Sequence, residues 1–97
     1  MRLRYTAKAR VQLTAARDYI RIRNPIAARN FLNKAARRLR QLTIFPGIGH
    51  IIPEAPDGVH RQIVVAQYRF FYRLEGDTVL IVAVWHGKQT PTLPSIR

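Results

Sequence analysis

The stretch VLIVAVW, Val79 to Trp85, runs for seven apolar residues without a break. A half-buried strand alternates apolar and polar residues, whereas a short continuous run reads as a strand covered on both faces. The chain must therefore build a sheet around this run and supply material for both of its sides. With 97 residues it has room for one domain and a small core. The run ends on Trp85, His86, Gly87 and Lys88: an aromatic, an imidazole, a bare backbone position and an ammonium in succession.

Two further strands lead into the run. Val59 to Val65 and Tyr68 to Leu74 are apolar-rich and separated by a short turn at Ala66-Gln67. Glu75-Gly76-Asp77-Thr78 reads as a hairpin turn. If Leu74 faces Val79, unbroken pairing sets Tyr72 opposite Ile81, Phe70 opposite Ala83 and Tyr68 opposite Trp85, all on one face. Arg69, Phe71, Arg73, Leu80, Val82, Val84 and His86 then share the other. On this reading Trp85 packs in the core against Tyr68.

The first half of the chain is helical. Arg2 to Tyr5 alternates and reads as a short edge strand, and Thr6 can cap a helix beginning at Ala7. Ala9, Leu13, Ala16 and Ile20 form one apolar stripe, with Arg10, Arg17 and Arg21 along its flank. Val11, Ala15 and Ile22 fall on the far side, a second apolar patch beyond what the core of one helix needs. Asn24-Pro25 stops that helix and starts the next, because the residue before proline avoids the α region and proline suits the first helical position. Ala28, Phe31, Ala35, Leu39 and Leu42 then recur at helical spacing, opposite Arg29, Asn33, Lys34, Arg37, Arg38 and Arg40. Two helices joined at one tight break form an antiparallel hairpin.

Residues 46 to 58 hold three of the six prolines and three of the five glycines, so they read as a long loop between the helices and the sheet. The tail, TPTLPSIR, is broken by prolines and reads as irregular from about residue 89. The expected fold is α+β: a short N-terminal strand, an antiparallel helix hairpin, and a small antiparallel sheet under it, all in one domain spanning 1–97. The helices cover one sheet face. The other is expected to stay partly open and to present Arg61 or Arg73 according to register.

Charge is the other strong constraint. Seventeen Lys and Arg against five Asp and Glu give +12, most of it from arginine. Self-repulsion at that density calls for a partner of opposite sign, nucleic acid or an acidic protein segment. There is no cysteine, which excludes disulfides and thiolate metal sites and suits a reducing compartment. The basic start MRLRYTAKARVQL lacks the apolar stretch of a signal peptide, and no segment reaches the roughly 18 apolar residues of a membrane span. A cytoplasmic location is expected, with no membrane partner. His50 and His60 have no metal-ligand spacing to other donors, so no metal and no cofactor are expected. Gly47-Ile48-Gly49 lacks the preceding strand and following helix of a phosphate loop.

The order of strand, helix hairpin and three-stranded meander resembles the RelE/ParE superfamily, the toxins of type II toxin–antitoxin systems, and within it the ParE-like branch. The residues that carry the likeness are TAKARVQLTAARDYI, NPIAARNFL, RRLRQLTIFPGIG and GVHRQIVVAQYRFFYRLEGDTVLIVAVWHGKQ, in that order, over residues 1 to about 89. The resemblance implies a toxin that inhibits DNA gyrase and is held inactive by a cognate acidic antitoxin in a hetero-oligomer. It also implies that the toxin meets DNA only indirectly, through the antitoxin. Arg61, His86 and Lys88 are the expected target contacts, and Val11, Ala15, Ile22, Arg69 and Arg73 the expected antitoxin contacts.

The alternative is a ribosome-dependent messenger-RNA endoribonuclease of the RelE type. RNA cleavage needs a base for the 2′-OH, an acid for the leaving 5′-oxygen and cations for the phosphate. Arg61, Arg73, His86 and Lys88 are the residues that could supply part of this, and histidine is the residue type suited to acid–base work near neutrality. Gly87 departs from the nuclease pattern, which carries a chemical group there. The reading therefore leans towards a protein that acts by binding.

Overall fold

The computed structural model describes residues 1–54 and 56–87, and these form two helices packed on one five-stranded sheet. In chain order the elements are β1 (Arg2–Tyr5), α1 (Ala7–Arg23), α2 (Pro25–Ile44), β2 (His50–Ile51), β3 (Arg61–Val65), β4 (Tyr68–Glu75) and β5 (Thr78–His86). The sheet order is β1-β5-β4-β3-β2, so the apolar run of β5 is an interior strand. The meander β3-β4-β5 is antiparallel, as the turns dictate, whereas β1 pairs with β5 in parallel and makes the sheet mixed. The two-residue β2 lies inside the stretch that the sequence presents as loop.

Local chemistry sets both helix ends. Thr6 accepts from Ala9 N through its hydroxyl oxygen at 3.0 Å and donates that hydroxyl to Val82 O at 3.3 Å, so one side chain caps α1 and ties it to β5. Asn24, in extended backbone at φ −157°, ends one helix and begins the other. Its N–H donates to Ile20 O, and its side chain accepts from Ala27 N. Pro25 follows at the first position of α2, where its missing N–H leaves nothing unpaired. The α2 stripe Ala28, Phe31, Ala35, Leu39 and Leu42 is buried as its spacing predicts. Phe31 sits on the Tyr68 and Phe70 rings at centroid distances of 5.2 and 6.3 Å.

The sheet departs from unbroken pairing at one point. Leu74 opposes Val79 and Tyr72 opposes Ile81, but Phe71 opposes Ala83, so Val82 is an extra residue on β5. This β-bulge shifts every pair beyond it, giving Phe70–Val84, Arg69–Trp85 and Tyr68–His86. The expected Phe70–Ala83 and Tyr68–Trp85 pairs are therefore corrected. Val84 joins the helix-side core with Tyr68, Phe70, Tyr72 and Ile81. Ala83 and Trp85 turn to the opposite face with Ile52, Phe71 and Val82. Trp85 is a core residue, as expected, but its partner is the edge of Phe71 at 5.9 Å and not Tyr68.

The second face is partly open, with Val64 exposed and Arg73 partly exposed, and it is covered at its middle. Phe71 and Ala83 are fully buried there, and Ile52 from the long loop packs onto them. Next to them Arg69, only 8% exposed, forms two 2.8 Å hydrogen bonds to the two oxygens of Glu54 and a third, at 2.6 Å, to Gln62. Its guanidinium also stacks over the Phe71 ring at 4.9 Å. A buried cation needs a partner, and the loop brings one.

Asp57 organises the end of that loop. Its carboxylate accepts from Val59 N and His60 N and contacts His60 Nδ1 at 2.8 Å, and these contacts hold its pKa far below the usual carboxylate range. A carboxylate with a depressed folded-state pKa contributes stability above its unfolded pKa and loses it as pH falls through the folded value. Asp57→Asn should therefore lose stability at neutral pH and give a flatter acid limb. Urea melts at pH 7 and pH 3 check this, with the gap between the two proteins narrowing at the lower pH.

Candidate partner-binding site

The bulge decides what stands at the end of β5. It brings His86 to the row of Tyr68, whose ring it meets edge-on at 5.3 Å. β1 stops at Tyr5, opposite Ile81, so it cannot pair with β5 beyond that point. Side chains of the first helix take over: Thr6 reaches Val82 O, and Gln12 Oε1 accepts from Val84 N at 2.8 Å. Further along, α1 and β5 enclose a groove of about 690 Å³. Its walls are Gln12, Ala15, Ala16 and Tyr19 from α1, and Gln67, Tyr68, Val84, Trp85 and His86 from the sheet.

The groove is aromatic and bordered by charge. Arg23 stacks over Tyr19 at 4.1 Å. Burial, reinforced by the neighbouring Tyr19, pushes the Tyr68 phenol above its ordinary pKa, so Tyr68 stays neutral and acts as a packing surface with a polar tip. A second hollow of about 380 Å³, lined by Gln62, Val64, Gln67, Arg69, His86 and Gly87, lies on the other side of the strand end. His86 and Gln67 are thus shared walls of the two depressions. Gly87 N donates to Gln67 O at 2.7 Å, closing β5 against the β3–β4 turn, and a Cβ there would lie 3.2 Å from the same oxygen. The bare position serves this closure.

The residues singled out from sequence divide into separate places. Val11, Ala15 and Ile22 are exposed on one side of α1, Val11 at 69% and Ile22 at 84%. Tyr19, at 54%, extends the stripe, and Ala15 and Tyr19 join it to the groove. Arg61 opposes Tyr72 and donates to Gly49 O at 2.9 Å, beneath the FPGIG segment. Arg73 lies on the other face, paired with Glu75 at 2.6 Å. Arg69 is committed to Glu54 within the chain. Lys88 lies outside the described residues. Gln12, Tyr19 and Tyr68 were not singled out as site residues. Tyr19 and Arg23, four apart on a helix, carried a signal, but Gln12 and Tyr68 gain their positions from the bulge and the short β1.

No group of three or more His, Asp or Glu among the described residues could hold a metal ion. No helix among them is long and apolar enough to cross a membrane.

The described residues form a small basic domain: a helix hairpin on a mixed sheet, with an aromatic groove at the strand end and an apolar stripe beside it. The profile of the family described as "ParE toxin of type II toxin-antitoxin system, parDE" matches residues 3–91. The chain belongs to this family and is a ParE-type toxin of a type II toxin–antitoxin system. Membership implies an antitoxin partner. Among solved structures the chain is similar to one titled "Chromosomal ParDE TA system from P. aeruginosa", at 19% identity and a TM-score of 0.69. The alignment covers 89% of this chain and 95% of that one, and the likeness bears on the fold. Among curated proteins, none matches the chain significantly.

Proposed function

We propose that this toxin inhibits DNA gyrase by binding it through the groove at the end of β5, and that a cognate acidic antitoxin neutralises it by lying along the α1 stripe into that groove. The observation that carries this reading over RNA cleavage is the dispersal of the candidate catalytic groups. His86 lies on the row of Tyr68, four residues along β4 from Tyr72, the row of Arg61, and five from Arg73. At about 3.3 Å per residue those separations are roughly 13 and 17 Å. Arg61 and Arg73 also point to opposite faces. General acid–base catalysis needs its groups within hydrogen-bond reach of one reacting phosphate. A protein surface needs only a groove with aromatic anchors, which Tyr19 and Tyr68 provide.

Purified toxin is expected to inhibit gyrase supercoiling near stoichiometric amounts and to leave ribosome-bound messenger RNA intact in a translation-coupled cleavage assay. Untouched supercoiling at stoichiometric excess overturns the gyrase reading, and cleavage in the second assay favours the RelE-type alternative. For the antitoxin, Val11→Glu with Ile22→Glu is expected to weaken binding by on the order of 100-fold, because two charges would enter an apolar contact. Calorimetry on the purified pair measures it. Full-strength binding would remove the stripe from the interface.

A further inference from the structure

The outer face of α2 is left out of the groove, the stripe and the core. Arg29, Asn33, Arg37 and Arg40 are all exposed and recur at spacings of four, four and three, so they share one face, with Lys34 beside them. There is no Asp or Glu anywhere in α2. Nor do these cations complement the helix dipole, since the last turn carries none.

Among the described residues no Asp or Glu side chain pairs with them. Each of the five Asp and Glu has a basic partner elsewhere: Asp18 with Arg17 and Arg21, Glu54 with Arg69, Asp57 with His60, Glu75 with Arg73, and Asp77 with Arg2. Among the described residues no ion pair involves α2. Arg38, on the flank, donates to Val64 O at 3.3 Å. Among the described residues, Arg29, Lys34, Arg37 and Arg40 thus stand without an ion pair on one straight surface. From Arg29 to Arg40 it is about 16 Å long at 1.5 Å per residue.

We propose that this face binds the sugar-phosphate backbone of duplex DNA directly. Arginine forks match phosphate oxygens, and Asn30, Asn33 and Gln41 add amide donors among them. Single-stranded nucleic acid calls for aromatic stacking platforms. The one aromatic side chain of α2, Phe31, is buried in the core. A folded peptide calls for apolar anchors at the centre of its contact. Here the exposed Ile26 and Ile44 stand only at the two ends of the strip. The contact is to backbone and carries no sequence preference. It goes beyond the expectation that DNA is met only through the antitoxin. It also rests on no assumption about gyrase, so the two readings fail separately.

The test is fluorescence anisotropy of the full-length toxin with a random-sequence DNA duplex from 50 to 200 mM salt. Four cations on phosphates give a slope of log K against log salt near −3.6, a loss of about 150-fold over that range. Arg29→Gln with Arg37→Gln and Arg40→Gln is expected to flatten the slope by about 2.7, since three phosphate contacts are removed. Arg2→Gln with Arg4→Gln and Arg10→Gln removes the same charge from another surface and is expected to leave the slope close to the parent's. Glutamine keeps helix propensity near that of arginine, and far-UV circular dichroism checks that both variants fold. Equal losses in both variants, an unchanged slope in the first, or no binding by the parent overturns the proposal. Tighter binding to an RNA duplex of the same sequence, or to poly-glutamate, assigns the face to another partner and overturns it as well.

Discussion

Gly49→Ala should destabilise the protein by about 3 kcal/mol, whereas Gly47→Ala, two residues earlier, should change stability by less than about 0.5 kcal/mol. A Cβ on Gly49 would lie 2.3 Å from the Tyr72 hydroxyl oxygen and 2.6 and 2.8 Å from its ring carbons, while one on Gly47 meets nothing within 4 Å. Tyr72 cannot give way. It is fully buried under the helices, its hydroxyl donates to Pro46 O at 2.7 Å, and it accepts from Gly49 N at 2.9 Å. The added methyl therefore overpacks the site and breaks two buried hydrogen bonds. In a domain of this size the loss corresponds to a fall in melting temperature on the order of 15 °C. Thermal melts of the two variants side by side decide it, and equal melting temperatures would show that the FPGIG loop is not braced by Tyr72. Tyr72→Phe, which removes only the hydroxyl, should fall between them at about 1–2 kcal/mol.

The second large effect is expected at the pair on the opposite sheet face. Glu54→Gln should cost about 2–3 kcal/mol at neutral pH, because it leaves the buried Arg69 guanidinium without its counter-charge. The figure sits below the full cost of breaking a buried pair because the Glu54 side chain is 33% exposed and water screens it. The asymmetry is itself testable. Arg69→Met leaves Glu54 within reach of solvent and fills the volume over Phe71, so it should cost less than Glu54→Gln. The hydrogen bonds from Arg69 hold the Glu54 carboxyl below its ordinary pKa. Its contribution is therefore present above the unfolded carboxylate pKa and fades as pH falls through the folded one. The gap between parent and Glu54→Gln should narrow on acidification. Denaturant midpoints at neutral and acid pH measure it, and a gap independent of pH would mean that the charge pair contributes nothing.

Both predictions concern residues whose importance is hidden in the chain. Phe45-Pro46-Gly47-Ile48-Gly49 reads as a helix stop and loop, and nothing in it distinguishes Gly49 from Gly47. The distinction comes from Tyr72, 23 positions away. Arg69 reads as one arginine of an alternating strand, available to a partner. Its occupation by Glu54 depends on a loop folding back across 15 positions. The DNA-facing strip of α2 is different, since its spacing and lack of acid are plain in the sequence. The structure adds that the five Asp and Glu side chains are engaged elsewhere.

The sequence by itself determined the helix hairpin, the meander, the buried stripe of α2 and the family. Caps, turns and periodicities are local, and each is written in a few neighbouring residues: Thr6, Asn24-Pro25, Gly76-Asp77, and the three-and-four spacing from Ala28 to Leu42. At Gly76 the backbone has φ +58°, which the hairpin turn requires and glycine supplies without strain. Only the tertiary structure decided the end of β5. One extra residue, Val82, exchanges the faces of everything after it, because side chains in a strand alternate with period two. That slip sends Trp85 away from Tyr68 and brings His86 to it, opening the groove between α1 and the sheet. The residues from Val79 to Trp85 are apolar on both faces, so their pattern is the same with the bulge or without it, and no periodicity could have revealed it.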